Sequence, residues 1–169
     1  MLEIADLKSI QAPLEARYRE EPEAALIVLH AEGAIGAGVT CSLDTGKALV
    51  RAGLHPAAGG DGTTDCSGDL LLQALVACAG VTLSAVASSL GLPLRGAKVR
   101  AEGELDMRGT LGVDSSVPVG FRHIRLVFAI DGDLDAAQRE TLLRLTERAC
   151  VVLQTLRSAP QVSVTLAGA

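Results

Sequence analysis

Hydrophobic residues concentrate in one uncharged stretch near the middle of the chain. No charged residue occurs from Leu70 to Leu94, and apolar or small side chains fall on every face of the helix predicted there, SGDLLLQALVACAGVTLSAVASSLGL from Ser67 to Leu92. A helix without a polar face is expected to be buried all round. Its length raises a transmembrane alternative, but polar residues interrupt it and no cationic cluster flanks it. The pattern favours a long central core helix with Cys78 at its middle.

Amphipathic and alternating patterns predict the remaining elements. Helices are expected at Ala5–Glu20 and from a capping-box pair, Asp135 and Gln138, through to Leu156. Alternation of apolar and polar residues indicates strands. These are expected at Ala25–Ala31, Gly38–Leu43, Lys47–Ala52, Lys98–Asp106, Phe121–Ile130 and around Val162, Val164 and Leu166. The order lacks the alternation of a doubly wound fold and predicts an α+β chain.

Composition narrows the class of protein. A chain of 169 residues with 49% hydrophobic and 21% charged residues can build one folded domain and is not mainly disordered. Its formal net charge of -5, with two Phe, one Tyr and no Trp, gives no basic or aromatic surface for nucleic acid. No secretory signal is visible in Met1 to Ala12, so the expected location is the cytoplasm. In that compartment, four cysteines indicate thiol chemistry or simple burial.

The glycine-rich loop from Leu54 to Asp69 leads directly into the central helix. It lacks a P-loop lysine and the order of a calcium loop, and its aspartates would repel an anion. Ser67 or Asp65 is expected to cap the helix, with Asp69 in the first turn, where a carboxylate favours the helix dipole. A thiolate metal site through Cys66, Cys78 and His55 has no C-x-x-C or H-x-x-x-H spacing behind it, so neither a metal nor a cofactor is expected.

Two cysteine motifs resemble those of a known family. They are GDLLLQALVAC at Gly68 to Cys78 and ERACVVLQTL at Glu147 to Leu156, and GDLDAAQRE at Gly132 to Glu140 agrees with them. Together with the element order, they resemble the OsmC/Ohr family from about Gly38 to Leu166. The chain is then expected to be a single OsmC-like domain, residues 1–169, with residues 1–22 as an N-terminal helical extension. The resemblance implies antiparallel sheets packed around a long buried central helix in an intertwined homodimer.

The same resemblance implies thiol-dependent reduction of organic hydroperoxides. Cys78 would be the peroxidatic cysteine, which forms a sulfenic acid, and Cys150 the resolving cysteine, which closes a disulfide. An external dithiol, either a lipoyl-type group or thioredoxin, would reduce that disulfide.

Activation of Cys78 needs an explanation, because apolar burial raises the pKa of a thiol. Cys78 lies mid-helix, where no free helix N–H is expected, so a nearby cation is required. The resemblance implies an arginine from the N-terminal part and a glutamate ahead of the cysteine. Arg19 is the preferred arginine, and the glutamate position falls at Gly68, next to the shorter carboxylate of Asp69. Arginines that stay open as alternatives are Arg17, Arg51 and Arg148.

Other features leave a second function open. Val151 stands where the family often has proline, and the cleft walls expected from the sequence are all aliphatic: Leu71, Leu75, Val81 and Leu153. A non-catalytic OsmC-like dimer that binds a small apolar ligand or senses oxidants is therefore the alternative. Cys66 is either an alternative resolving thiol or an ordinary loop cysteine.

Overall fold

The computed structural model of the chain describes Glu20 and residues 32–35, 40–44, 49–112 and 114–168; for residues 32–50 only the backbone is described. The helix expected at Ala5–Glu20, apart from the helical Glu20, and the strand expected at Ala25–Ala31 lie outside these residues.

The first sheet has four strands in the order β1-β2-β3-β4. The expected hairpin is confirmed as an antiparallel pair, in which Thr40 lies opposite Gly53. β1 was not predicted, and β4 pairs with β3 in parallel, so this sheet is not purely antiparallel. The strands are β1 Glu32–Ile35, β2 Thr40–Asp44, β3 Leu49–Gly53 and β4 Asp65–Cys66.

The predicted long helix is α1, Ser67–Ser89. Its N-cap is Cys66, whose sulfur accepts a hydrogen bond from the Asp69 N–H at 3.4 Å, so the expected caps Ser67 and Asp65 are wrong. Asp69 lies in the first turn, as predicted. Among the described residues, α1 is the helix whose length and apolar composition would allow it to cross a membrane. The core helix of a soluble protein has the same length and composition, so this is weak evidence for a membrane span.

The described residues bury only one face of α1. Leu75, Ala79, Leu83 and Ala87 are buried at intervals of four residues, whereas Val81 is 73% exposed. The expected burial on every face is therefore not met by the described residues alone.

A two-stranded antiparallel sheet packs against this face. It consists of β5, Leu94–Glu104, and β6, His123–Gly132, with Val99 opposite Phe128. The inward residues of β6 follow the predicted alternation, because Ile124 and Phe128 pack on the α1 core while His123 faces out. Between the strands lies a one-turn helix, α2, Met107–Thr110.

The C-terminal helix is broken in two. α3, Ala136–Ala149, begins with the predicted capping box of Asp135 and Gln138. It ends at Cys150, where the backbone is extended (φ −73°, ψ 105°), and α4, Val151–Arg157, starts immediately after it. The prediction of one continuous helix through Leu156 is wrong at this residue.

The expected C-terminal strand is also absent from the described residues. Residues 159–168 have no regular secondary structure, and Val162, Val164 and Leu166 are 80%, 91% and 98% exposed. The predicted strand is therefore wrong for the part of the chain that the structure describes, where this segment pairs with no neighbouring strand.

Candidate active site

The break between α3 and α4 brings two thiols together. Cys78 lies in the middle of α1, and Cys150 lies at the break, with 0% of its surface exposed. The Cys150 S–H donates to the Cys78 sulfur across an Sγ–Sγ distance of 3.5 Å. The structure therefore juxtaposes the two cysteines that the motifs singled out, although 72 positions separate them in sequence.

An apolar shell surrounds the thiol pair. Leu75 and Ala79 of α1 are buried against Cys150, and side chains of the second sheet and of α4 pack around them. These are Val99, Ala101, Ile124, Leu126, Phe128, Val152 and Leu153. Such a shell removes water from the sulfur atoms, and this disfavours the charged thiolate form.

Hydrogen bonds overcome this penalty at Cys78. Burial raises the pKa of the thiol, but donors from the Val152 N–H, the Cys150 thiol, the Thr82 hydroxyl and the Val151 N–H together hold the pKa below its ordinary value. All four donors are neutral. Two of them are N–H groups of the first turn of α4, which have no partner inside their own helix.

Cys150 is shifted in the opposite direction. Burial raises its pKa, the Leu153 N–H lowers it, and the neighbouring Cys78 sulfur raises it again, so the pKa lies above the ordinary value. The site thus pairs one thiol whose pKa is lowered with one whose pKa is raised. That difference suits a nucleophile and its resolving partner.

The expectation that no helix N–H could reach Cys78 is therefore wrong. It considered only the helix that carries Cys78, whereas the donors belong to the helix that starts beside it. Arg51 and Arg148 are exposed and are not among the groups that shift the pKa of Cys78. Arg17 and Arg19 lie outside the described residues.

Asp69 and Cys66 lie at the start of α1, away from the thiol pair. Nine residues separate Asp69 from Cys78, about 13 Å along a helix axis, and twelve residues separate Cys66 from it, about 18 Å. Cys66 is a helix cap whose sulfur is too far from Cys78 to resolve it without rearrangement. Within the described residues, no group of three or more His, Cys, Asp or Glu side chains could hold a metal ion.

A groove of about 590 Å³ adjoins the thiol pair. Leu75 and Leu153 line it and also pack around the thiols, which confirms two of the four expected wall residues. Leu71 and Val81 are exposed and do not line it. The sequence motifs did not single out the other apolar walls or the polar rim. They are Phe121, Ile124, Leu126, Val127, Phe128, Leu143 and Leu156, with Arg122, His123, Glu147 and Arg157.

Comparison with known proteins places this arrangement in a family. The OsmC-like protein family matches residues 60–165, which is more than half of the chain and includes both cysteines. The chain belongs to the OsmC-like protein family. No curated protein sequence matches it.

Solved structures of OsmC-like proteins share the fold. An OsmC-like protein from Mycoplasma pneumoniae superposes with a TM-score of 0.67 at 14% identity, covering 79% of this chain and 89% of that one. An organic hydroperoxide resistance protein OsmC from Legionella pneumophila gives 0.63 at 20% identity, with coverage of 79% and 92%. The organic hydroperoxide resistance protein OhrB of Bacillus subtilis gives 0.56 at 20%, with coverage of 80% and 94%. At these identities the likeness shows a common mixed α/β fold.

Proposed function

We propose that this OsmC-like protein is a thiol-dependent peroxidase that reduces organic hydroperoxides through Cys78 and Cys150. The observation that carries the proposal is the 3.5 Å separation of the two sulfurs, together with the opposite directions of their pKa shifts. Family membership supports it, because structural neighbours bear the name of organic hydroperoxide resistance proteins.

In the first step, the Cys78 thiolate attacks the terminal oxygen of the hydroperoxide. The O–O bond breaks as the S–O bond forms, and the alkoxide takes a proton to leave as an alcohol. Cys78 is oxidised to a sulfenic acid while the peroxide is reduced. A lowered pKa raises the thiolate fraction at neutral pH, and the thiolate is the nucleophilic form.

In the second step, the Cys150 sulfur attacks the sulfenic sulfur, and the hydroxyl group leaves as water with the Cys150 proton. The sulfurs need to approach from 3.5 Å to the bond length of about 2 Å. Because Cys150 lies at a helix break, a small change of backbone angle there can supply this movement. A dithiol, of the lipoyl type or from thioredoxin, then reduces the disulfide by exchange.

The groove beside the thiols is the proposed binding site for the organic part of the peroxide. Its walls are aliphatic and aromatic, and Leu75 and Leu153 connect them to the thiol pair. Burial of apolar substrate surface there is worth about 25 cal/mol per Å². The proposal therefore predicts a preference for bulky organic hydroperoxides over hydrogen peroxide.

The active form in this proposal is a cytoplasmic homodimer in which the two α1 helices pack together. The exposed apolar side of α1 supports the pairing. Arg19 stays the proposed cation near the Cys78 sulfur, in addition to the neutral donors. Asp69 lies about 13 Å from Cys78 along α1 and is too far from the sulfur to take the glutamate's role, so its part in this proposal is limited to the first turn of α1, where its carboxylate favours the helix dipole.

The test is a stoichiometric oxidation followed by a turnover assay. One equivalent of cumene hydroperoxide is expected to consume two thiols and to create a Cys78–Cys150 disulfide, identified by peptide mass mapping. Cys78→Ser is expected to abolish peroxide consumption, Cys150→Ser to leave a sulfenic acid that dimedone traps, and Cys66→Ser to behave like the parent. Turnover by a Cys78→Ala variant at the parent rate would refute the proposal.

The groove also supports a second candidate, a non-catalytic dimer that binds a small apolar ligand or senses oxidants. It differs in its kinetics, because oxidation would be slow and would stop after one equivalent. Steady-state peroxide consumption with dihydrolipoamide and, separately, with thioredoxin distinguishes the two functions. Absence of turnover with both, together with a copurifying apolar molecule in native mass spectrometry, would favour the binder.

A further inference from the structure

Thr82 lies one helical turn after Cys78, on the same side of α1. Residues four apart on a helix are neighbours on its surface. The Thr82 hydroxyl donates to the Cys78 carbonyl oxygen at 2.7 Å, so it lies in the same turn as the Cys78 side chain, and hydrogen bonding by Thr82 is one of the causes that lower the pKa of Cys78. Thr82 is half-buried, so this hydroxyl is partly screened from water.

The bond from the hydroxyl to the carbonyl is expendable. In an α-helix, the carbonyl of Cys78 already accepts the backbone N–H of Thr82. The threonine hydroxyl adds a second bond of the back-bonding type, which contributes little to helix stability. Rotation about the Cβ–Oγ1 bond can therefore point the O–H group at the sulfur instead of the carbonyl oxygen. The helix does not have to open for this change.

We infer that Thr82 is a positioning residue for Cys78, whose hydroxyl turns from the carbonyl to the sulfur when the thiol ionises and holds the thiolate facing α4. The inference rests on the proposed function for its biological meaning. It concerns the thiolate alone, however, and can be tested without any turnover of peroxide.

The surroundings of Cys78 allow a clean titration. Within residues 51–112 and 114–168, the titratable group that contacts it from α3 and α4 is Cys150, and the inward residues of the second sheet are apolar. Threonine does not titrate in the accessible range. A change in the titration of Cys78 caused by Thr82 therefore does not come from the loss of a charge, and Thr82→Ser separates the loss of the hydroxyl donor from a change of side-chain shape.

The experiment measures the alkylation rate of Cys78 with iodoacetamide from pH 5 to 10, resolved on the peptide that carries this cysteine. Thr82→Val keeps the branched shape and removes the hydroxyl, whereas Thr82→Ser keeps it. For Thr82→Val we expect a higher titration midpoint and a rate at neutral pH that is about three- to tenfold lower, because one pKa unit changes the thiolate fraction tenfold. Thr82→Ser is expected to stay within about twofold of the parent, since the hydroxyl donor is present.

The matched control is Ser89→Ala. Ser89 makes the same kind of bond within α1, from its hydroxyl to the Val86 carbonyl at 2.9 Å, but it lies eleven residues from Cys78. Its profile is expected to coincide with that of the parent. A Thr82→Val profile that also coincides with the parent would overturn the inference. So would an equal loss at every pH, including the high-pH plateau, because that result indicates altered access to the sulfur. Neither outcome bears on whether the parent reduces peroxides.

Discussion

At the scale of single residues, Phe121 joins the second sheet to the start of α1. Its ring lies over Gly103 of β5, so closely that a Cβ at this position would overlap the ring atoms. The far end of the ring approaches Gly68 in the first turn of α1. Phe121 also lines the groove. One close contact between an aromatic ring and a glycine thus sets the position of a wall of the proposed substrate site.

The first prediction concerns this contact. Gly103→Ala is expected to lower the free energy of unfolding by about 1–3 kcal/mol, because the added methyl group must displace a packed ring. Gly96→Ala on the same strand is the matched control, since a Cβ there meets open space, and a change within about 0.5 kcal/mol is expected for it. Urea denaturation of both variants measures the difference. Equal free energies of unfolding for Gly103→Ala and Gly96→Ala would show that the Phe121 ring moves aside without destabilising the protein.

The chemistry of the thiols could be anticipated only in part from residue types. Cys78 and Cys150 stood out through their motifs, and the structure places them in contact. The donors that lower the pKa of Cys78 include backbone N–H groups of Val151 and Val152, which every non-proline residue possesses. Their role depends on backbone direction, and a residue name carries no information about that.

At the scale of elements, the break between α3 and α4 decides the geometry of the site. The sequence around Cys150 contains no glycine or proline, and the helical period continues across it, so nothing local predicts an interruption. Two side-chain contacts link the helices on either side of it. Gln154 Nε2 donates to the Glu147 carbonyl at 2.7 Å, and Arg157 forms an ion pair with the Glu147 carboxylate at 2.9 Å. Both contacts join α4 to the last turns of α3 and so direct the first N–H groups of α4.

The second prediction substitutes proline at the start of α4. Val151→Pro is expected to fold with a free energy of unfolding within about 1 kcal/mol of the parent. Proline suits the first helical position, the preceding Cys150 is already extended, and Val151 is 70% exposed. The substitution removes one N–H donor to Cys78, so the alkylation midpoint of this thiol should rise by a fraction of a pH unit. Val151→Ala, which keeps the N–H, is the control. Identical titrations of the two variants would exclude the Val151 N–H as a donor.

Elements with strong local signals were predicted well. The uncharged stretch gave α1, the alternation gave β5 and β6, and the capping box gave the start of α3. β1 was missed because Glu32–Ile35 is a short segment without alternation, and its pairing with β2 fixes it as a strand. The final strand is wrong for the converse reason, since its alternating pattern is present but it pairs with no strand among the described residues.

At the scale of the whole molecule, the described residues leave much apolar surface uncovered. Thirteen large hydrophobic side chains are exposed, whereas seven hydrophobic residues are buried. Single exposed leucines are ordinary, but a continuous apolar face marks an interaction surface. On α1 this face includes Ala74, Ala77 and Val81, opposite the buried row of Leu75, Ala79 and Leu83. Because the helix sequence is apolar on every side, we expect this outer side, which the described residues leave uncovered, to be a contact surface.

The third prediction tests that coverage with Val81→Asp. Because Val81 is 73% exposed in one chain, a monomer should tolerate the change within about 0.5 kcal/mol. If two α1 helices pack through this face, the substitution buries two carboxylates near each other without partners, which costs several kcal/mol. We therefore expect sedimentation equilibrium to give a dimer for the parent and a monomer for Val81→Asp. Lys98→Glu, which shifts the charge by -2 where Val81→Asp shifts it by -1, lies at an exposed position of β5 and is expected to stay dimeric. If the parent sediments as a monomer, there is no contact between subunits. If the Val81→Asp variant stays dimeric, the contact lies elsewhere on the molecule. In either case the outer face of α1 would need another partner.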